Sequence, residues 1–485
     1  MMGKAGQFSL TRNAGLVGIS KLVNILALLA ASMILTRIFT RAEYGSYEQV
    51  WLIYNSLLPL AGYGLSSALY FFSAREEKPG VYSAAIAASS VIGLLAGIIL
   101  AVFAPLFARW FDAPSLTVYI RVLAVYTLMV SPSLMFESIF VTERRVGLLL
   151  AGNIIVALLF AGSIFISALI FHSMLFVFVC IALVGGAKSA ILIVYMLKAG
   201  KFTRKRLSPL VKTQFLYALP IFVSSIAGTI SKQVDRYLVS LLMTPEKFAI
   251  YAIGSKELPL IAVVTGSASA ILFPVFSELG SKGGREKFIE IWRNSISKTG
   301  FFLLPMMVFL LFTANDFMGF FFGQKYVVSA AVFRIFLLLL PLRLAFYSQA
   351  LFSLGKQKLY MYTSIAEMFL SGIASYFLLR SYGLEGAAIG KMLVTYIEVL
   401  VLVGVLTFAL KATIVEMFPW KKIMKLLIVS VAALVPLILV RSYFSNVYYR
   451  FVIECVMFAS VFGGLALLTG SVRIISLKKM QFVVN

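Results

Sequence analysis

The sequence predicts an all-α, polytopic membrane protein with about fourteen transmembrane helices. Of its 485 residues, 61% are hydrophobic and only 13% are charged, against roughly 25% charged residues in a typical soluble domain. The mean hydropathy is +0.98. Apolar runs of about 20 residues, each long enough to cross a hydrocarbon core roughly 30 Å thick, recur from end to end and are separated by short polar joints.

Fourteen hydrophobic spans can be counted, and no joint between them is long enough to form a soluble domain. The first span begins near Ala14 and has no small-residue cleavage site, so we expect a retained helix and not a signal peptide. The spans cover residues 14–36, 47–72, 81–107, 118–141, 147–171, 174–197, 213–242, 248–276, 294–313, 327–352, 360–380, 384–410, 424–441 and 450–470.

Residues suited to catalysis or metal binding are scarce. The chain has one histidine and two cysteines, which excludes a disulfide framework or a His/Cys metal site, and we expect no cofactor. Asp112, Asp235 and Asp316 lie far apart in sequence, so the paired aspartates that metal-dependent glycosyl transfer usually needs are missing. The sequence therefore argues against a membrane glycosyltransferase and predicts a protein that is not an enzyme.

The loops predict the orientation in the membrane. If the N-terminus is cytoplasmic, the inside joints carry the basic stretches Lys198 to Lys212, Lys282 to Arg293 and Lys411 to Lys425, with Lys478 and Lys479. This asymmetry predicts that both termini are cytoplasmic. The basic residues of the inside joints also account for most of the net charge of +24. Such residues set the topology and attract anionic lipid headgroups, so we expect no nucleic-acid partner.

An internal repeat predicts the domain organisation. Residues Thr40 to Tyr47 align without gaps to residues Thr244 to Tyr251. Two six-helix halves with the same orientation are implied, and in such transporters the substrate lies between the halves. The predicted domains are a first bundle over 1–200, a basic cytoplasmic linker over 201–212, a second bundle over 213–410, and two further helices with a cytoplasmic tail over 411–485.

Seven basic residues lie well inside predicted spans. A lysine or arginine exposed to lipid at a helix centre costs about 2.5–3.5 kcal/mol, so we expect these residues to face water, a ligand or a partner. Four polar residues of the seventh span recur at steps of four, three and four, which places them on one helix face. They are Ser225, Thr229, Lys232 and Arg236. The seven basic residues are Lys21, Lys188, Lys232, Arg236, Lys256, Arg343 and Lys391.

These charges predict a cationic cavity that binds substrate. Lys21 and Asn24 share a face of the first span, which the repeat makes the counterpart of the seventh. The candidate binding residues are Lys21, Asn24, Arg37, Lys232, Arg236, Lys256, Arg343 and Lys391.

The alternative is that some charges form structural pairs. Asp235 can pair with Lys232 or Arg236, and Glu257 adjoins Lys256. Lys391 and Glu398 lie two turns apart on one face. Arg37 can instead extend to the membrane interface.

Carboxylates and aromatic residues inside the spans also allow two interpretations. Asp235, Glu367 and Glu398 could take up protons that couple transport to an ion gradient, although interhelical hydrogen bonding is the more ordinary role for such groups. Tyr47, Trp51 and Tyr54 could stack on sugar rings, although anchoring at the membrane interface is more common.

Three short motifs resemble a known family. They are Leu35-Thr36-Arg37 followed by Glu43-Tyr44-Gly45-Ser46-Tyr47, then Asp235-Arg236, and Tyr382-Gly383-Leu384-Glu385-Gly386-Ala387-Ala388. With the span count, the length and the repeat, they make the chain similar to the Wzx-type polysaccharide transporters of the multidrug/oligosaccharidyl-lipid/polysaccharide (MOP) exporter superfamily.

This resemblance implies two six-helix bundles around a central cavity and a flippase in a bacterial or archaeal cytoplasmic membrane. The implied substrate is an undecaprenyl-diphosphate-linked oligosaccharide, a repeat unit of O-antigen or exopolysaccharide, moved from the cytoplasmic to the outer face. Membrane lipids, a polysaccharide polymerase and glycosyltransferases of the same pathway are the implied partners. Lys21, Lys232 and Arg236 would meet the diphosphate or acidic sugars.

Three other functions compete with this one. A drug/cation antiporter of the same superfamily typically has twelve helices and a pocket lined by carboxylates, unlike the basic candidates here. A lipid II flippase for peptidoglycan shares fourteen helices and a cationic interior. A membrane-embedded polysaccharide polymerase or acyltransferase would be expected to show a long outer loop or a catalytic histidine within the membrane.

Overall fold

A computed structural model describes residues 4–73, 78–203, 207–282, 284–474 and 482–484. The described residues are mainly helical, which confirms the predicted all-α class. Residues Val472–Ile474 (β1) and Phe482–Val484 (β2) form a short antiparallel pair. The helices are α1 Lys4–Ile38, α2 Arg41–Ser73, α3 Lys78–Trp110, α4 Leu116–Val130, α5 Phe136–Thr142, α6 Val146–Leu169, α7 Met174–Lys198, α8 Leu207–Leu242, α9 Pro245–Gly254, α10 Pro259–Lys282, α11 Arg285–Phe322, α12 Ala330–Leu337, α13 Tyr347–Ser353, α14 Gln357–Leu410, α15 Ile414–Met417, α16 Trp420–Ala432, α17 Val435–Tyr443 and α18 Val447–Leu468.

Each of the fourteen predicted spans overlaps one or more helices. Within the described parts of the chain, nine helical segments are long and apolar enough to cross a membrane, and Leu22–Ile38 forms a shorter apolar segment. The protein is therefore a multi-pass membrane protein.

Several predicted spans are not single continuous helices. A 3-10 turn at Ser131–Met135, which contains Pro132, separates α4 from α5. The eighth span is interrupted between α9 and α10, and the tenth is divided into α12 and α13 with a 3-10 turn at Leu340–Leu344 between them. Proline lacks the N–H that a continuous helix needs, and this explains why breaks occur beside Pro132 and Pro341.

The chain divides into two compact units, Met1–Ala249 and Ile250–Asn485. In the first unit, α1 packs on α6, α2 on α8 and α3, and α4 on α3 and α7. A core near one end of these helices is formed by fully buried side chains that include Leu65, Tyr82, Phe136 and Leu192. Helix α8 belongs to this unit, whereas the sequence analysis places its residues in the second half. The two six-helix bundles stay a prediction.

In the second unit, α11 packs against α10, α12, α16 and α18. It runs to Phe322, well past the predicted end of the ninth span, because its second half is apolar and buried. Trp292 near its start is fully buried and packs edge-on against Tyr347 of α13.

The internal repeat corresponds to two similar helix N-termini. The Glu43 N–H donates to Thr40 Oγ1 at 3.3 Å, and the Thr40 N–H donates back to Glu43 Oε2 at 2.9 Å, which is a capping box at the start of α2. At the start of α9, the Lys247 N–H donates to Thr244 Oγ1 at 3.4 Å. The aligned threonines therefore cap the starts of α2 and α9.

The two repeated segments also approach each other. A Cβ added to Gly45 would fall closer to the carbonyl group of Pro245 than real Cβ atoms come. Glycine at position 45 thus permits the start of α2 to pack directly on the backbone at the start of α9.

The motif at 382–388 forms a tight helical hairpin. Gly383 adopts φ 63° and ψ −145°, a conformation that favours glycine, and reverses the chain inside α14. The arms before and after it pack together, since Ser375 Oγ donates to the carbonyl oxygen of Ala387 at 3.1 Å. A Cβ on Gly386 would overlap the carbonyl of Leu378. Gly383 therefore permits the reversal of the chain, and Gly386 permits the close contact between the two arms.

Candidate functional site

Helices α2 and α8 are joined by a charged contact. Arg236 Nη2 donates to Glu48 Oε2 at 3.1 Å, and the Tyr44 hydroxyl donates to Glu48 Oε1 at 2.6 Å. Tyr44 and Glu48 lie one turn apart on α2, so both face the same side of that helix. Both oxygens of the buried Glu48 carboxylate are thus engaged, and the carboxylate balances a charge predicted to bind substrate.

A second contact lies one turn further along. The Tyr237 hydroxyl is 2.6 Å from Ser56 Oγ and 3.2 Å from the carbonyl oxygen of Leu52. We call Tyr44, Glu48, Ser56, Arg236 and Tyr237 together the α2–α8 polar cluster. Positions 44, 48, 52 and 56 recur every four residues, so one face of α2 supplies its entire side of the cluster.

Several buried polar atoms on these two helices lack hydrogen-bond partners within the described residues. Gln49 is 0% exposed, and neither its Oε1 nor its Nε2 is hydrogen-bonded. Arg236 Nε and the hydroxyl of buried Ser240 also have no hydrogen-bond partner among the described residues. Buried polar groups are nearly always paired with protein or ordered water, so these atoms mark places where water or a polar ligand would bind.

Lys232 lies one turn before Arg236 on α8. It is exposed, and it makes no ion pair with the part of the chain that is described. Thr229 on the same face is half-buried. This face therefore carries one balanced cation and one available cation. The side chain of Ser225, predicted on this face, lies outside the described residues.

Three of the predicted binding residues lie on α1. The Lys21 side chain lies outside the described residues, so its predicted role stays untested. Asn24 is half-buried, and Arg37 is exposed in the last turn of α1.

In the second unit, two predicted cavity cations form ion pairs. Lys391 Nζ donates to Glu367 Oε1 at 2.5 Å, and both side chains are nearly buried. Arg343 pairs with Glu257, with both side chains partly exposed. Lys256 is half-buried. The sequence analysis considered Glu398 as the partner of Lys391 and Glu257 as the neighbour of Lys256, whereas the structure pairs Lys391 with Glu367 and Glu257 with Arg343.

The predicted coupling carboxylates make different contacts. Glu367 pairs with Lys391, whereas Glu398 accepts a hydrogen bond from Ser364 Oγ at 3.1 Å. Both contacts join the two arms of α14. Asp235 is 2% exposed on α8 beside Arg236. Whether any of the three exchanges protons remains a prediction.

A charged network that the sequence analysis missed connects α11 with the last two helices. Arg441 Nη2 donates to Asp316 Oδ2 at 2.8 Å, and Arg450 Nε donates to Asp316 Oδ1 at 3.0 Å. Arg441 Nε also donates to Glu454 Oε1 at 2.9 Å, and its guanidinium lies over the Phe312 ring at 4.0 Å. Sequence analysis placed Asp316 in a joint because α11 was predicted to end at residue 313.

The aromatic stripe Tyr47, Trp51 and Tyr54 of α2 packs against neighbouring helices. Tyr47 packs on Phe178 of α7, and Trp51 and Tyr54 both contact Tyr126 of α4. Tyr47 and Tyr54 are buried. This stripe therefore holds α2 against α4 and α7, and its predicted roles in sugar stacking or interface anchoring stay predictions.

Comparison with known sequences adds family information. Residues 34–331 match the model of a family described as polysaccharide biosynthesis protein. A putative O-antigen transporter of Shigella flexneri is 26% identical over 202 residues, which is 39% of this chain. The match spans about half of that relative, 46% of its length.

Solved structures with the same fold are more distant in sequence. The lipid II flippase MurJ in an inward closed conformation aligns with a TM-score of 0.73 and 16% identity over 93% of this chain and 98% of its own. An inward-facing multidrug resistance MATE family transporter of the MOP superfamily aligns with a TM-score of 0.66 and 15% identity over 80% of this chain and 94% of its own. These likenesses establish the fold alone. The family model covers more than half of the sequence, and the chain therefore belongs to the polysaccharide biosynthesis protein family, with the fold of MOP superfamily transporters.

Proposed function

We propose that the protein is a flippase that moves an undecaprenyl-diphosphate-linked oligosaccharide from the cytoplasmic to the outer face of the cytoplasmic membrane by alternating access. The observation that carries this proposal is the family match over residues 34–331, within which the α2–α8 polar cluster lies. The Shigella flexneri relative, named a putative O-antigen transporter, supports the same class of substrate.

The chemistry of the substrate fits the charges on α8. A diphosphate cannot cross hydrocarbon without compensation, and lysine or arginine at a site of low dielectric constant supplies it through charge-assisted hydrogen bonds. Lys232 is exposed and makes no ion pair with a described residue. We therefore assign the first contact with the diphosphate to Lys232.

Arg236 has a different role in this proposal. Its guanidinium is balanced by Glu48. A substrate anion can therefore pair with Arg236 only when the contact between α2 and α8 loosens. The substrate anion and the Glu48 carboxylate would then compete for the Arg236 guanidinium. This competition links the occupancy of the site to the conformation of the protein.

The unpaired polar atoms near this cluster suit a glycan. Sugar hydroxyls both donate and accept hydrogen bonds, as the amide of Gln49 does. Because both amide atoms of Gln49 lack partners within the described residues, we propose that Gln49 contacts either the glycan or ordered water during transport.

The paired charges of the second unit are given structural roles in this proposal. Lys391 and Glu367 neutralise each other between the arms of α14, which suits a structural pair. Asp235, buried beside the cluster, is the better candidate for coupling to an ion gradient. Both termini are placed in the cytoplasm, as the basic joints predict, and the enzymes that build and polymerise the glycan are proposed partners.

The decisive experiment locates the precursor in a strain that lacks this protein. Under the proposal, a finished lipid-linked repeat unit accumulates on the cytoplasmic leaflet, and a plasmid copy of the gene restores surface polysaccharide. Failure to assemble the unit, or unpolymerised units on the outer leaflet, would indicate an enzyme of the pathway instead. Arrested peptidoglycan synthesis with normal surface polysaccharide would indicate a lipid II flippase.

A further inference from the structure

A groove with a volume of about 380 Å³ lies between α4 and α7 of the first unit. The α4 wall is formed by Val118, Val122, Val125 and Met129, which recur at steps of four, three and four and so share one face. Leu183 of α7 forms part of the opposite wall.

These walls face the lipid. Val118 is 48% exposed, Val125 53% and Leu183 59%. Aliphatic side chains exposed on membrane-spanning helices contact acyl chains, so the groove opens to the hydrocarbon of the bilayer.

Arg121 is the one charged residue in the described lining of this groove. It is exposed, and it makes no hydrogen bond or ion pair with any residue whose position is described. Helices α3 and α7, which pack on α4, carry no carboxylate. Helix α2 also packs on α4, but its Glu43 accepts a hydrogen bond from the Thr40 N–H and its Glu48 is paired with Arg236. A guanidinium beside hydrocarbon is unfavourable unless a counter-anion or water reaches it, so this arginine is a place where an anion from outside the chain would be stabilised.

The dimensions of the groove match one leaflet of a membrane. From Val118 to Met129, α4 advances about 16 Å, roughly half of a hydrocarbon core about 30 Å thick. The groove closes beyond Met129, because there α4 and α7 converge: a Cβ on Gly186 would lie 2.6 Å from the Met129 methyl.

The position of Arg121 fits the depth of lipid headgroups. It lies in the second turn of α4, which begins at Leu116 after a short joint. Trp110, 56% exposed at the end of α3 on the other side of that joint, is of the type that anchors helices at the membrane interface. In the predicted orientation, this end of α4 lies at the outer face.

We propose that this groove binds one anionic phospholipid, with an acyl chain between α4 and α7 and the phosphate on Arg121. A guanidinium binds phosphate through two parallel N–H donors, which gives the headgroup a defined place. The apolar walls of α4 and α7 hold the chain.

Native mass spectrometry of the full-length protein in detergent, titrated with phosphatidylglycerol, tests the proposal. We expect Arg121→Ala to weaken binding of the first phosphatidylglycerol about tenfold, since charge-assisted hydrogen bonds are lost. Arg121→Lys retains the charge without the paired donors and should weaken binding less. Val125→Phe fills the groove from an exposed position and should weaken binding as Arg121→Ala does.

Arg109→Ala is the matched control, since Arg109 is an exposed arginine in the last turn of α3 and does not line the groove. Unchanged binding in Arg109→Ala, with losses in Arg121→Ala and Val125→Phe, supports the proposal. Equal losses of phosphatidylglycerol binding in Arg109→Ala and Arg121→Ala would show that the lipid responds to the net charge of the protein, and would overturn the proposal. Unchanged binding in either Arg121→Ala or Val125→Phe, or displacement of the lipid by inorganic phosphate, would also overturn it.

Discussion

Arg236 and Glu48, which are distant in sequence, meet at 3.1 Å and connect the middle of the chain to its second helix. The contact places a balanced charge where sequence analysis predicts a cation that is free to bind substrate. Glu48 is 7% exposed, so either partner left alone would be an uncompensated, largely buried charge.

The energetic coupling of this pair is testable by a double-mutant cycle. Glu48→Gln and Arg236→Gln should each lower the free energy of unfolding by about 3 kcal/mol, the low end for a broken buried pair. The double variant should be less destabilised than the sum, with a coupling energy of about 0.5–3 kcal/mol. Thermal unfolding in detergent measures all three variants. Additive effects would show that the two charges do not interact in the folded protein.

Lys232 should affect transport without affecting folding. We expect Lys232→Ala to reduce export of surface polysaccharide about tenfold, because a charge-assisted contact to the diphosphate is lost. Membrane levels should stay unchanged, since Lys232 is exposed and makes no ion pair with a described residue. Lys232→Arg is the control and should retain export. Wild-type export in Lys232→Ala would remove this residue from the site.

Lys391 and Glu367 should behave as a structural pair. Lys391→Met leaves the buried Glu367 carboxylate without its cation, and should lower the free energy of unfolding by about 3–5 kcal/mol. Adding Glu367→Gln removes that charge and should recover most of the stability and of the export. Immunoblots of membranes, together with polysaccharide export, measure both effects. Loss of export in a stable double variant would instead indicate a role in coupling.

Asp316 should hold the last two helices in place. Asp316→Asn deprives both Arg441 and Arg450 of their shared carboxylate, and should cost about 3–5 kcal/mol. Arg450→Gln removes one of those contacts and should have a smaller effect. Limited proteolysis at the 444–446 joint, compared across the variants, reports whether α17 and α18 loosen. Equal resistance in Asp316→Asn and the unchanged protein would contradict this role.

Gly45 should tolerate no side chain. Gly45→Ala places a methyl group against the Pro245 carbonyl, so the start of α2 must shift, and we expect a loss of about 1–3 kcal/mol. Gly404→Ala is the control: its Cβ would meet nothing within 4 Å, and alanine favours the helix by about 0.5–1 kcal/mol. Melting temperatures should therefore move in opposite directions.

The spans were predictable because hydrophobic length is a local property of the sequence. The break at Ser131–Met135 and the long extension of α11 to Phe322 were not, since they depend on packing between distant segments. For the same reason Asp316 was assigned to a joint.

The partners of the buried charges could not be predicted from local sequence patterns either. The sequence identified Arg236, Arg343 and Lys391 as residues in need of a partner. It did not identify Glu48, although a glutamate near the start of the second predicted span is the signal that could have found it. A pair between distant helices leaves no periodic pattern, whereas the polar face of the seventh span does.

The reversal at Gly383 leaves the two arms of α14 without a connecting loop. An epitope tag or a protease site inserted at this turn would have to separate arms that are held together by Ser375 with Ala387, Lys391 with Glu367, and Ser364 with Glu398. Labelling studies of this protein should therefore treat Gln357–Leu410 as one indivisible element.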